Sequence, residues 1–286
     1  MLRLLRSFSF VISMAILLGI LTGGFPEYGG EIATIALIIA MTFSISNIPF
    51  KIKLKEAKHI LIAFLLNYGF LSAIIILMGY AMKEYFEGFI VMAAAPSAIA
   101  VVPLSVVLKG DERHSLFSLI FLYLMAIILM PLIIYIFLAK QVNAILLMKN
   151  VVLLILLPIV ASRILYGKIE EEKGRIVTNI CFFFLVFSVI GKNRQFIFED
   201  YSTLILLSLL MAIRTFGSGF FVRTIAEKIG VDKGKAVNYA LFASLKNEGL
   251  VMIIAASLFS YETALPAVIA LIFEMLWICC METKII

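Results

Sequence analysis

The chain has 286 residues, 63% of them hydrophobic and only 15% charged, with a formal net charge of +6 and a mean hydropathy of +1.12. A water-soluble domain is closer to half apolar and about a quarter charged, and a chain of this size cannot wrap so much apolar surface in a core of its own. Lipid is therefore the main solvent, which excludes a soluble enzyme, a disordered regulator and a disulfide scaffold.

A membrane-spanning helix needs about 20 mostly apolar residues. By that measure the sequence predicts spans at 7–24, 30–48, 58–81, 87–108, 115–138, 148–166, 175–191, 202–224, 235–260 and 263–281. The first also resembles a signal peptide, with Arg3 and Arg6 before it, but no clear small-residue cleavage site follows, so a retained helix is expected. The connectors are short and polar and leave no room for a separate soluble domain. Cys181, Cys279 and Cys280 all lie in apolar runs, so no disulfide framework is implied.

Lysine and arginine placement orients these spans. With a cytoplasmic N-terminus, the inside segments hold 17 of the basic residues: Arg3, Arg6, Lys51, Lys53, Lys55, Lys58, Lys109, Arg113, Arg163, Lys168, Lys173, Arg175, Arg223, Lys228, Lys233, Lys235 and Lys284. The outside segments hold 5, at Lys83, Lys140, Lys149, Lys192 and Arg194. This positive-inside bias places both termini in the cytoplasm of a multi-pass cell-membrane protein. It also accounts for the net charge without a nucleic-acid partner.

Ten spans divide into two sets of five, 1–140 and 141–286. An odd number per set means that the second enters the membrane inverted, as in many transporters built from inverted repeats. The fourth span carries Pro96 and Pro103 near its middle, with Ser97 beside the first. Prolines remove backbone donors and clash with preceding carbonyls, and such breaks survive at membrane depth only where protein or water satisfies the freed groups. The ninth span places Lys246, Asn247, Glu248 and Gly249 in the middle of an apolar run. Both spans are read as discontinuous helices that cross. The fold class is thus an all-α polytopic membrane protein with ten transmembrane helices.

These residues, in this order, resemble the bile acid:sodium symporter family of secondary transporters. The likeness begins near Met41-Thr-Phe-Ser-Ile-Ser46 and continues with Asn67, where the family commonly has glutamine. The family's Pro-Gly-Gly-Thr-Ala-Ser-Asn motif superposes on Pro96 through Val102, and its Gly-Asp pair on Gly110-Asp111. Its Glu-x-x-Met-Gln-Asn-Ser-Gly-Leu motif superposes on Phe242 through Leu250. The resemblance implies a panel domain facing a core domain, two broken helices crossing in the core, and transport by alternating access. It also implies a departure. Val101 and Val102 stand where the family has sodium-ligating Ser and Asn, Phe242 replaces the Glu, and Lys246 replaces the Gln. Valine and phenylalanine side chains offer no oxygen, so the family's sodium sites are expected to be unused, and the Lys246 ammonium is expected near where a sodium ion would sit.

Four ionisable residues remain inside spans: Arg214, Lys246, Glu248 and Glu274. Intramembrane charges are costly and either pair or line a water-filled path. Arg214 with Glu274 reads as a buried pair, leaving Lys246 for Glu248 or the substrate. As burial disfavours a charged amine, Lys246 could lose its proton during transport and couple the cycle to protons. The substrate-binding candidates are Asn67, Pro96, Ser97, Pro103, Lys246, Asn247 and Glu248. The coupling or ion-pair candidates are Arg214, Lys246, Glu248 and Glu274. Two cations and the positive ends of half-helix dipoles point to a small organic anion as substrate. No metal and no cofactor is expected.

Two other readings stay open: a cation/proton antiporter of similar fold, and a non-transporting membrane sensor or scaffold. A membrane enzyme fits poorly. His59 and His114 fall at interfaces, Asp111, Asp200 and Asp232 fall in connectors, and Ser218 between Gly217 and Gly219 reads as close helix packing.

Overall fold

The structure, a computed structural model, describes residues 6–46, 57–139 and 141–282, and every regular element among them is helical. Arg3, Lys51, Lys53, Lys55, Lys140 and Lys284, used above to orient the chain, lie outside the described residues.

The helices in chain order are α1 (Phe8–Thr22), α2 (Gly29–Ser46), α3 (Ala57–Ala81), α4 (Phe86–Ala94), α5 (Val101–Val107), α6 (Glu112–Leu138), α7 (Ala144–Leu165), α8 (Glu171–Lys192), α9 (Arg194–Glu199), α10 (Tyr201–Lys228), α11 (Lys233–Ser244), α12 (Glu248–Leu258) and α13 (Leu265–Glu282). Among the described residues, eight helical stretches are long and apolar enough to cross a membrane, counting α11 and α12 together as Lys233–Leu258. The shorter α1, and α4 with α5, fall below that length. The chain is an integral, multi-pass membrane protein.

Polar residues at the connectors start the helices, because the first N–H groups of a helix lack intrahelical acceptors. Ser7 accepts from Phe10 N at 3.3 Å, Asp111 from His114 N at 2.9 Å, Asn143 from Ile145 N at 3.0 Å and Asp200 from Thr203 N at 3.0 Å. Asp200 is partly exposed, and hydrogen bonds to Thr203 and Ser202 hold its carboxyl below the usual range. Between the caps, α1, α3, α6 and α10 turn large apolar side chains outward, among them Leu17, Leu77, Ile136 and Ile205. In lipid these side chains need no cover.

Two packing groups emerge. Helix α8 lies against α1 and α2, and the C-terminal part of α7 also packs on α2. The others gather around α4, α11, α12 and α13, where burial is densest: α11 with α12 is 83% buried within the protein, against 33% for α3. Close approach there depends on missing side chains. A Cβ on Gly219 would stand 2.6 Å from Cζ2 of Trp277, so the Gly217-Ser218-Gly219 stretch serves helix packing. A Cβ on Gly88 would clash with the backbone carbonyl of Thr263.

Three helices widen into π-helical turns, at Leu65–Leu71 in α3, Val152–Leu156 in α7 and Ile213–Gly217 in α10. Such turns displace one backbone group from the regular ladder and frequently mark functional positions. Two of these three hold site residues, Asn67 and Arg214.

Candidate functional site

Both predicted breaks are present. Helix α4 stops at Ala94, and Ala95 adopts extended backbone (φ −71°, ψ 148°). Helix α11 stops at Ser244, and Leu245 is likewise extended (φ −116°, ψ 128°). The two extended segments meet. The Asn247 N–H donates to the Pro96 carbonyl at 2.9 Å, and the Ser97 hydroxyl donates to the Leu245 carbonyl at 3.0 Å. Proline explains the first break directly, since Pro96 has no N–H to return to the helix. No comparable residue forces the second. There the carbonyls at the end of α11 are satisfied from outside, as Asn67 Nδ2 donates to Phe242 O at 3.1 Å and to Leu245 O at 3.3 Å.

The Lys246 side chain enters this crossing and is fully buried. Its ammonium donates to five oxygens: Ala95 O at 2.7 Å, Ser72 Oγ at 3.0 Å, Ala93 O at 3.1 Å, and Asn67 O and Oδ1 at 3.2 Å each. The Tyr68 ring lies below it, 4.9 Å from nitrogen to centroid, within cation–π range. Two of the carbonyls belong to the C-terminal end of α4, the negative end of that helix dipole, which favours a cation. A third comes from the π-turn of α3, where Asn67 O also accepts from Ser72 Oγ at 3.0 Å. All five oxygens are uncharged. The cage is of the kind that holds a bare monovalent cation, and here it holds a cation tethered to the chain.

A second set of buried charges adjoins it. Arg214, with no exposed surface, places Nη1 2.8 Å from Glu274 Oε1 and Nη2 2.9 Å from Glu248 Oε1. The same Glu274 oxygen accepts the backbone N–H of Lys246 at 3.0 Å. Arg214 thus spans two carboxylates, whereas Lys246 makes its side-chain bonds to neutral oxygens instead of the expected pairing with Glu248. The four formal charges still sum to zero, as burial requires. Asn247 caps α12 by accepting from Leu250 N at 3.1 Å, and its amide donates to the Tyr123 hydroxyl at 2.6 Å.

Six of the seven substrate-binding candidates therefore come together: Asn67, Pro96, Ser97, Lys246, Asn247 and Glu248. Pro103 does not join them, since it sits exposed on α5, outside the hydrogen bonds that link the two breaks. Val101 and Phe242 are fully buried. Ser72, Tyr68 and Tyr123, and the carbonyls of Ala93 and Ala95, went unmarked in the sequence. Ser72 alone had a local signal, five residues after Asn67 in the register that a π-turn brings together.

A further polar network lies at the other end of α11. Asn238 accepts from Ser105 Oγ at 2.6 Å, donates to Asp111 O at 2.5 Å and lies 3.0 Å from His114 Nδ1. His59 joins it through its carbonyl, 3.2 Å from His114 Nε2, while its ring lies 2.6 Å from the Tyr239 hydroxyl and 3.1 Å from Lys235 Nζ. His114, read from sequence as an interfacial residue of a polar stretch, is fully buried in the first turn of α6. The network ties the second half of the first broken helix to the first half of the second.

Interrupted helices that meet inside a multi-pass bundle, with buried charge at their junction, define a transporter-type membrane protein. A model of the sodium bile acid symporter family matches residues 32–199, more than half of the chain. The chain belongs to that family. Its members are transporters and not enzymes. A comparison with curated proteins gives no match. The matched stretch ends before α10, so Arg214, Lys246, Glu248 and Glu274 all lie beyond it.

Proposed function

We propose that this protein is a secondary active transporter of a small organic anion, working by alternating access without the family's sodium sites. One observation carries the reading: the ammonium of Lys246 fills a five-oxygen cage where the two interrupted helices meet. A tethered cation occupying the junction removes the need for a dissolved one, and Val101, Val102 and Phe242 remove oxygen ligands that a sodium ion would need. With Arg214 nearby, the junction carries two cations, which suits a carboxylate-bearing substrate better than a cationic one.

The architecture proposed with this function has ten spans, with α1 and the α4/α5 pair included, as inverted repeats over 1–140 and 141–286. Both termini face the cytoplasm of the cell membrane. The site residues are Asn67, Pro96, Ser97, Lys246, Asn247 and Glu248, with Arg214 and Glu274 completing the charge balance, and protons are the coupling ion.

A second reading, a cation/proton antiporter, gains from one feature. Glu248 and Glu274, on different helices, share one guanidinium, which supplies the paired carboxylates that such exchangers use. Uptake of a panel of radiolabelled small carboxylates into proteoliposomes, under imposed sodium or proton gradients, separates these readings. Carboxylate uptake driven by a proton gradient and indifferent to sodium is the expected result. Stoichiometric drive by sodium at constant pH would refute the sodium-free cycle. Sodium/proton exchange without carboxylate uptake would favour the antiporter, and no flux of any kind a sensor or scaffold.

A further inference from the structure

The four buried charges are not equally well held. Lys246 presents three N–H bonds to five oxygens. Glu274 receives two aligned hydrogen bonds on Oε1, from Arg214 and from the Lys246 backbone. Glu248 receives none. Its Oε1 lies 2.9 Å from Arg214 Nη2 as an ion pair without hydrogen-bond alignment, no donor among the described residues serves either of its oxygens, and the Glu274 carboxyl beside it can share a hydrogen bond only if Glu248 carries a proton. Nε and Nη2 of Arg214 lack one as well, although the side chain is fully buried. An ionised carboxylate withdrawn from water normally needs both pairing and hydrogen bonds. Glu248 has the first and lacks the second. The charged groups that face it are Arg214 from α10, Glu274 from α13 and Lys246 from the break that precedes α12.

We propose that Glu248 is the proton-binding site of the protein, in place of Lys246, and that its protonation frees the Nε and Nη2 edge of Arg214 for the carboxylate of the transported anion. The inference rests on the anion-transport reading given above. Losing a proton would leave Lys246 two N–H bonds for five acceptor oxygens, so the ammonium stays charged through the cycle. In the step itself, a proton from solution bonds to one oxygen of Glu248, and its ion pair with Arg214 is lost. No other bond changes. The four buried groups pass from zero net charge to +1, and one monoanion returns them to zero. The guanidinium edge then meets a planar carboxylate in the two-pronged geometry that arginine favours. Coupling of one proton to one anion follows from charge balance at this single arginine.

The test reads the proton directly. Infrared difference spectra are taken between acidic and alkaline buffer, on protein reconstituted in phosphatidylcholine vesicles and labelled with isotopic glutamate. Subtracting the E248Q difference spectrum from the parent's should leave one titrating, isotope-sensitive carboxyl band. The E248D variant, which keeps the carboxyl, should retain such a band at a shifted position and serves if E248Q fails to fold. A flat double difference, or a band lost in E274Q while E248Q retains it, overturns the assignment. Radiolabelled benzoate is the transport probe: E248Q should lose benzoate uptake driven by a proton gradient, and E248D should retain it with a shifted pH dependence. Proton-driven uptake equal to the parent's in a folded E248Q overturns the coupling role. If the parent transports no carboxylate at all, the transport reading fails while the infrared result still decides the proton site.

Discussion

Replacing Lys246 with methionine sets two physical effects against each other. A buried charge is expensive to desolvate, and exchanging it for an apolar side chain of similar length is often neutral or even stabilising. Against this, removing one partner leaves the others unsatisfied. Of the five oxygens around the ammonium, Ala93 O also accepts from the Ser72 hydroxyl, at 2.6 Å, and Asn67 O from the Ser72 backbone N–H. Asn67 Oδ1 and Ala95 O keep no comparable donor. Two buried acceptors left unmade cost about 1–3 kcal/mol each, hence roughly 2–6 kcal/mol together. The remaining charges would also sum to −1 in a buried site, and uncovering a buried charge costs about 3–5 kcal/mol. Both routes predict destabilisation by several kcal/mol. At roughly 2–4 °C per kcal/mol for a chain of this size, Lys246→Met should unfold about 6–20 °C below the parent. Thermal unfolding in detergent micelles is the assay, with a natural reporter in place. Trp277 is the single tryptophan, fully buried, with its ring 5.3 Å from that of Phe216 next to the charge cluster. A variant that unfolds at or above the parent's temperature would refute the reasoning, because it would mean that the cage does not stabilise the ammonium.

Gly88→Ala should disturb the contact between α4 and the connector before α13, since the added Cβ meets the Thr263 carbonyl and backbone cannot swing aside. A loss of about 1–3 kcal/mol is expected, on the scale of overpacking in a dense core, and a thermal midpoint equal to the parent's would count against the packing described here. Asn238→Ala should cost a similar amount, as it strips the partner from the Ser105 hydroxyl and one of two donors from the Asp111 carbonyl, both in α5 or just after it. Proteolysis in the connector around Gly110 should accelerate in that variant, and protection equal to the parent's would show that the network does not hold this end of the broken helix.

Much of the fold was legible in the sequence because lipid imposes strict local rules. The span positions came from apolar runs, and the first break was visible because Pro96 cannot complete a helical hydrogen bond. The second was visible as Lys246-Asn247-Glu248, three polar residues where lipid-facing ones belong. Pairing partners were not legible. Arg214 and Glu274 could be matched by counting charges, but that one guanidinium would reach two carboxylates depends on where α10, α12 and α13 pack. Nothing local marked the π-turns at Leu65–Leu71 and Ile213–Gly217, which carry Asn67 and Arg214. Nor did the sequence show that His114 is buried.

By itself the sequence determined the solvent, the family likeness and the set of residues out of place in lipid, since each of these follows from side-chain chemistry along the chain. Only the tertiary structure decided what those residues do for one another. It gave Lys246 to five neutral oxygens, Arg214 to two carboxylates and left Glu248 without a hydrogen-bond donor. The reason is that hydrogen bonding acts over about 3 Å, and which atoms come that close is set by packing between helices far apart in sequence.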